Sequence, residues 1–299
     1  MKDYYTHSDL ANEIGVSEST VIEWCKYNYI YDSIQVDKFD IWLIPKYWKE
    51  RFLFSQSIED AAHIFENMSA NARLQIQKFK PTINEVTDMI NPLFQKINDG
   101  HSIEHLLRVM NYAILIQTYT GGDVRVLIVA SLTHDLHRYM QKTEKKYVSP
   151  EESITLLHSQ ISRLDLSKEQ YEKVVEAVLN HENYHTDEEY RNKLNLESLI
   201  IQDADKLDAI GAVGIARTFQ YGVCHNVPDY DRNIKLYQTN EYIDGLGDAS
   251  TIHHIYNKLL RIDEWLHTDV AKIIALDSKN FMAKYIDRFI FEWEMVRNE

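Results

Sequence analysis

The chain has 299 residues, 44% of them hydrophobic and 26% charged, with only 9 glycines and 5 prolines. That mixture excludes gross disorder, favours helices over tightly turned strands, and is enough for one large domain or two smaller ones. A formal net charge of −14 opposes non-specific attraction to DNA or to an anionic membrane, but it allows an anionic substrate held through a metal ion.

The first ten residues carry charges with no apolar stretch behind them, so no secretory signal is expected. The longest apolar run, Val126 to Leu132, is too short to span a bilayer. Cys25 and Cys224 lie far apart in no ligand-like spacing, which reads as two free thiols and a cytoplasmic location. Residues 1–56 alternate two short helical patterns. Leu10, Ala11 and Ile14 form the first apolar face, Gly15 permits a left-handed turn, and Ser17 stands as N-cap before Val21, Ile22 and Trp24. A short strand or wing is expected over 40–45. This texture resembles the helix-turn-helix start of MerR-like and excisionase-like modules, which implies DNA as a candidate partner. The charge pattern gives that partner little support. The segment carries six basic and nine acidic residues, and its second helix offers Glu18, Glu23 and only Lys26. The competing reading is a small docking or dimerisation module.

Residues 57–94 read as connecting helices. Ile58, Ala61, Ala62, Ile64 and Phe65 recur at helical spacing, as do Ile83, Val86, Met89, Ile90 and Leu93, with Pro81 and Pro92 as interruptions. From 95 to 299 helical patterns follow one another with short polar breaks, so the expected architecture is an all-α bundle with a small N-terminal domain.

Four places carry chemistry. His101, His105 and Arg108 fall at i, i+4 and i+7 and share one helix face. His134-Asp135 follows the apolar run directly, a costly position unless the two are paired or bind a metal. His181 closes the pattern Val174, Val175, Ala177, Val178. The run Gln202-Asp203-Ala204-Asp205-Lys206-Leu207-Asp208 places three carboxylates in an otherwise buried helix, where Asp205 and Asp208 share a face. A divalent cation is the usual remedy for such repulsion. Imidazole and carboxylate donors from facing helices suit a hydrolytic metal centre in a bundle core.

The order His…His-Asp…Asp resembles the signature of the HD superfamily of metal-dependent phosphohydrolases. The blocks His105–Val109, Gln202–Arg217 and His254–Leu260 are similar to one bacterial, nucleotide-pyrophosphatase-like branch of it. That resemblance implies a divalent ion (Mn, Mg, Fe, Co, Ni or Zn) held by His105, His134, Asp135 and Asp205, with Asp203 as the alternative last ligand. It places His181 near the reacting phosphate or a second metal. Lys206 and Arg108 stand as phosphate contacts, Arg217 as a phosphate contact or a structural salt bridge, and His254 and Lys258 as substrate contacts or packing residues. On the resulting mechanism His181 or Asp208 handles a proton. The expected substrate is a small phosphorylated molecule, a nucleotide first of all, and a homodimer is open. The sequence departs from the pattern at Ser102, at Ser278, and at His137-Arg138, where relatives carry a small residue and an acid. Arg138 would bind an anion instead. Two rival readings follow. One is a two-metal phosphodiesterase drawing on His158. The other is a transcription regulator that uses a degenerate HD domain as a nucleotide or metal sensor.

Overall fold

The computed structural model describes residues 4–14, 17–26, 34–36, 41–45, 70–95, 97, 100–234, 236 and 249–295. The chain divides into two compact units, Met1–Glu66 and Asn67–Glu299. The architecture is mainly helical.

The first unit runs β1 (Tyr4–Thr6), α1 (His7–Ile14), α2 (Glu18–Lys26), β2 (Ile34–Val36) and β3 (Ile41–Pro45). Thr6 and Asp9 close the start of α1 reciprocally: Asp9 N–H donates to Thr6 Oγ1 and Thr6 N–H donates to Asp9 Oδ2, both at 3.1 Å. The strands form an antiparallel sheet in the order β1-β3-β2, with Tyr5 opposite Ile44 and Gln35 opposite Trp42. Leu10, Ala11, Val21, Cys25 and Ile44 make a small core under Tyr5 and Trp42. The strand expected over 40–45 is thus the central one of a three-stranded sheet. The turn assigned to Gly15 lies outside the described residues.

The second unit contains the helices that build the site. Its α3 (Lys80–Phe94) turns Ile83, Val86, Ile90 and Phe94 into the main core, so this part of the expected connecting segment belongs to the larger unit. Pro81 sits in the first turn of α3, where its missing N–H costs nothing. Then come α4 (Ile103–Thr120), α5 (Val124–Thr133), α6 (Leu136–Glu144), α7 (Ile154–Ile161), α8 (Lys168–Asn180), α9 (Glu188–Arg191), α10 (Leu196–Asp208), α11 (Gly211–His225), α12 (Thr251–Asn257) and α13 (Asp269–Glu294). No described helix is long and apolar enough to cross a membrane.

At the centre, α4 packs on α5 and α10, while α8 packs on both of the latter. Every α5 residue except Arg125 is buried, which explains why this helix is apolar on all sides. Asp123 caps α5 by accepting from Arg125 N–H (2.8 Å), and its second oxygen accepts from Gln170 Nε2 (2.8 Å) in the capping box that starts α8. Asp123 N–H donates to the buried Glu197 of α10 at 2.8 Å. One residue therefore ties the starts of α5, α8 and α10 together. Their opposite ends fall at Thr133, Asn180 and Asp208, where the polar clusters lie.

A tight corner follows α10. Gly211 takes φ +73°, a left-handed value that favours glycine, and a Cβ on Gly214 would lie 2.2 Å from the carbonyl oxygen of Ala209. Backbone must move to admit it. Gly214→Ala is expected to cost about 3 kcal/mol, at the upper end of overpacking effects, read as a lower melting temperature of the purified chain. Unchanged melting would show that the corner tolerates a side chain.

Candidate metal centre

Each central helix delivers a piece of chemistry at the same end of the bundle. His105 stands in the first turn of α4, His134 and Asp135 form the break between α5 and α6, His181 follows α8, and Asp205 lies in the last turn of α10. His105, His134, Asp135 and His181 are almost wholly buried, while Asp205 keeps 28% of its side chain exposed and opens the cluster to solvent.

The ring nitrogens are sorted. His134 Nδ1 lies 2.7 Å from the carbonyl of Ser131, and His181 Nδ1 lies 2.7 Å from the carbonyl of Val178. A carbonyl only accepts, so each Nδ1 carries the proton and each Nε2 presents a lone pair. His105 Nδ1 lies 2.7 Å from Asp208 Oδ2, so it also carries its proton there, and Nε2 is the nitrogen left facing the cluster. Among the described residues, the Nε2 atoms of His105, His134 and His181 have no hydrogen-bond partner. They converge instead on carboxylates. Asp135 Oδ2 is 3.3 Å from His105 Nε2 and 3.6 Å from His134 Nε2, and Asp205 Oδ1 is 3.4 and 3.8 Å from the same two atoms. Asp135 Oδ1 is 3.7 Å from His181 Nε2. Buried lone pairs facing anionic oxygens are costly without a cation between them, so the residues present fit a divalent ion, and mixed imidazole and carboxylate donors suit the transition metals.

Electrostatics point the same way. Burial alone would raise the Asp135 carboxyl, but His134 and His101 hold it well below the usual carboxylate range. Burial pushes His134 down to about 4, so it is neutral and ready to ligate. For His105 burial is outweighed by the facing Asp135 carboxylate and the hydrogen-bonded Asp208, which raise it to about 9. A proton thus occupies His105 at neutral pH until a cation replaces it. Cation uptake at pH 7.5 is expected to release about one proton per ion at this site. The measurement is titration calorimetry in buffers of different ionisation enthalpy; heats independent of the buffer would contradict it.

Of the two candidate last ligands, Asp205 faces the cluster and Asp203 does not. Asp203 accepts from His267 N–H (2.8 Å), Thr268 N–H (2.8 Å) and Thr268 Oγ1 (2.7 Å), anchoring the start of α13. Asp208 lies behind His105, not in front of it. Its oxygens take His105 Nδ1, Arg108 Nε (2.6 Å), Arg108 Nη2 (3.0 Å) and Arg217 Nη1. The repulsion expected between Asp205 and Asp208 is therefore relieved by two guanidinium groups rather than by a shared ion. Arg108 and Arg217 also line a cleft of about 440 Å³ with Gly100, Ser102, Val213 and Gln220.

Lys206 is buried, donates to the carbonyl of Asn183 at 2.9 Å, and is brought down to about 8 by that burial. Its Nζ sits 5.1 Å from the centre of the Tyr184 ring, and Lys258 Nζ sits 5.0 Å from the same ring, so two cations share one aromatic ring. His254 lies one turn before Lys258 on α12, half-buried. Arg138 is paired with Glu182, and its Nε is 3.9 Å from Asp135 Oδ1. His158 is bonded to the Tyr171 hydroxyl and stacked on that ring, and it takes no part in the cluster.

Sequence reasoning underrated three residues. His101 Nδ1 lies 2.8 Å from Asp135 Oδ2, and His137 and Glu182 extend the cluster beyond His181. Each sits within four residues of a motif residue, which is the signal that was available.

Fold and site together resemble those of an HD domain. Residues 102–210 match the family model of that description. Among curated proteins, the uncharacterised protein YpgQ of Bacillus subtilis is 26% identical over 203 residues, covering 68% of this chain and 89% of its own length. Among solved structures, an HD-superfamily hydrolase from Bacillus thuringiensis is 26% identical with a TM-score of 0.53, covering 73% of this chain and 97% of that one. A protein of Listeria innocua is 28% identical with a TM-score of 0.54, over 72% and 99%. The complex of B. subtilis YpgQ with ADP is 25% identical with a TM-score of 0.51, over 71% and 95%.

Proposed function

We propose that the larger unit is a divalent-cation-dependent phosphohydrolase acting on a nucleotide or a similar phosphoester or phosphoanhydride. The observation that carries this reading is the convergence of partnerless, buried Nε2 atoms of His105 and His134 on Asp135 and Asp205. These four would hold the ion. A bound divalent cation supplies Lewis-acid polarisation of a phosphoryl group and lowers the pKa of water.

The remaining groups act around it. Asp208 orients His105 and fixes its tautomer, so its part is positioning rather than proton transfer. His181 and Lys206 flank the carboxylates, His181 with an Nε2 able to take up a proton and Lys206 with an ammonium able to give one. Lys206 and Lys258 at Tyr184 supply positive charge and an aromatic face, a combination that suits polyphosphate and base. His254 lies on the same helix as that approach. Arg138 stands beside Asp135 as a further anion contact. The ADP bound to the B. subtilis relative supports a nucleotide-type ligand.

The experiment is a hydrolysis screen over nucleoside mono-, di- and triphosphates and simple phosphoesters with Mn²⁺, Mg²⁺, Co²⁺, Ni²⁺ and Zn²⁺. Turnover that needs an added cation and disappears on chelation is the expected result. Turnover of none of them under any cation would overturn the proposal. The rival reading as a transcription regulator finds no support in the fold or in the relatives.

A further inference from the structure

The long helix α13 has two different sides. Ala271, Ala275, Met282 and Ile286 are buried in the main core. On the other side Ile273, Asp277, Phe281, Lys284, Arg288 and Phe291 follow one another at steps of three or four, so they share one face. That stripe is about 27 Å long. All six residues are exposed, Phe281 by 48% and Phe291 by 56%. Single apolar residues are ordinary on a surface, but a line of them along one helix marks a face that another surface covers.

The end of the helix adds a second observation. Every residue from Phe291 to Met295 is exposed, so the last turn has no side turned into the core. A turn without a buried side gains little stability from its own unit.

The charges point to the occupant. On the stripe Asp277 stands one turn before Phe281, and Lys284 and Arg288 stand one and two turns after it. When two copies of α13 run antiparallel about an axis beside Phe281, Asp277 falls between the partner's Lys284 and the partner's Arg288. The same register brings the two Phe281 rings together and sets Ile273 near the partner's Phe291. Parallel copies would place each charge against its own like. A uniformly acidic or basic partner would attract one half of the stripe and repel the other.

We propose that the chain self-associates through α13 as an antiparallel, two-fold pair with Phe281 at its centre. Association through this face requires neither a metal ion nor a substrate.

The test is the mass of the full chain in solution, read by sedimentation equilibrium. The wild type is expected to be dimeric at about 100 μM, as a micromolar Kd requires. Asp277→Arg, and separately the double variant Lys284→Glu/Arg288→Glu, set like charges against each other and are expected to weaken the dimer at least about 30-fold. Phe281→Glu is expected to do the same. An equal mixture of Asp277→Arg with Lys284→Glu/Arg288→Glu restores opposite charges on both sides of the axis, so a heterodimer is expected. These positions are exposed, and circular dichroism checks that each variant folds. A wild type that stays monomeric overturns the proposal and leaves the stripe to a different protein. A dimer that Asp277→Arg leaves unchanged overturns it too, placing association elsewhere on the chain, and so does a mixture that stays monomeric.

Discussion

Asp135→Ala is expected to abolish cation binding at the metal centre and to lower kcat by at least ~10³-fold, equivalent to about 4 kcal/mol of transition-state stabilisation. No other carboxylate in the cluster faces so many imidazoles. Oδ2 is close to His101, His105 and His134, and Oδ1 is close to His181. Removing the side chain takes one negative charge from the middle of the donor set. The backbone should hold, because Asp135 sits in the break between α5 and α6 and its side chain caps neither helix. Metal content by mass spectrometry, phosphate release and circular dichroism check the three parts together. Turnover retained after the substitution would exclude the proposed centre.

Asp208→Ala is expected to be the most destabilising single change, costing about 4 kcal/mol. The carboxylate is 1% exposed and holds two guanidinium groups and one imidazole. Its loss leaves Arg108 and Arg217 as neighbouring like charges without their shared counter-ion. Denaturant unfolding of the full chain measures the cost. Asp208→Asn separates stability from function. It keeps the volume but loses the charge that fixes His105, so cation affinity should fall by ~10–100-fold even where the fold survives. Wild-type affinity in that variant would show that His105 needs no orienter.

Helical class and the helices that bring His105, His134, Asp135 and Asp205 together were legible because apolar period and motif position are local properties. The resemblance offers Asp205 first and Asp203 as its alternative, and Asp203 faces elsewhere because the segment leading into α13 supplies its donors from residues 267 and 268. Asp208 reads locally as a candidate proton carrier. Its role depends on Arg108, a hundred positions earlier, and on Arg217 after a glycine corner, and no local pattern reports that meeting. His137 was visible only as a departure from a family pattern. Its burial beside His181 is a tertiary fact. The sheet of the first unit was half-seen for a similar reason: β1 and β2 are three residues long, too short for alternation to register.

The common ending of α5, α8 and α10 has a consequence for assembly. Helix C-termini expose carbonyl oxygens and a partial negative charge. Three of them, together with Asp135 and Asp205, end beside the donor atoms, so the direction in which three helices run favours a cation at that spot. Arg138 and Lys206 stand at the edge of the same cluster, and Arg108 behind it. On the proposed function, the helix ends would favour the metal while these side chains receive the anionic substrate.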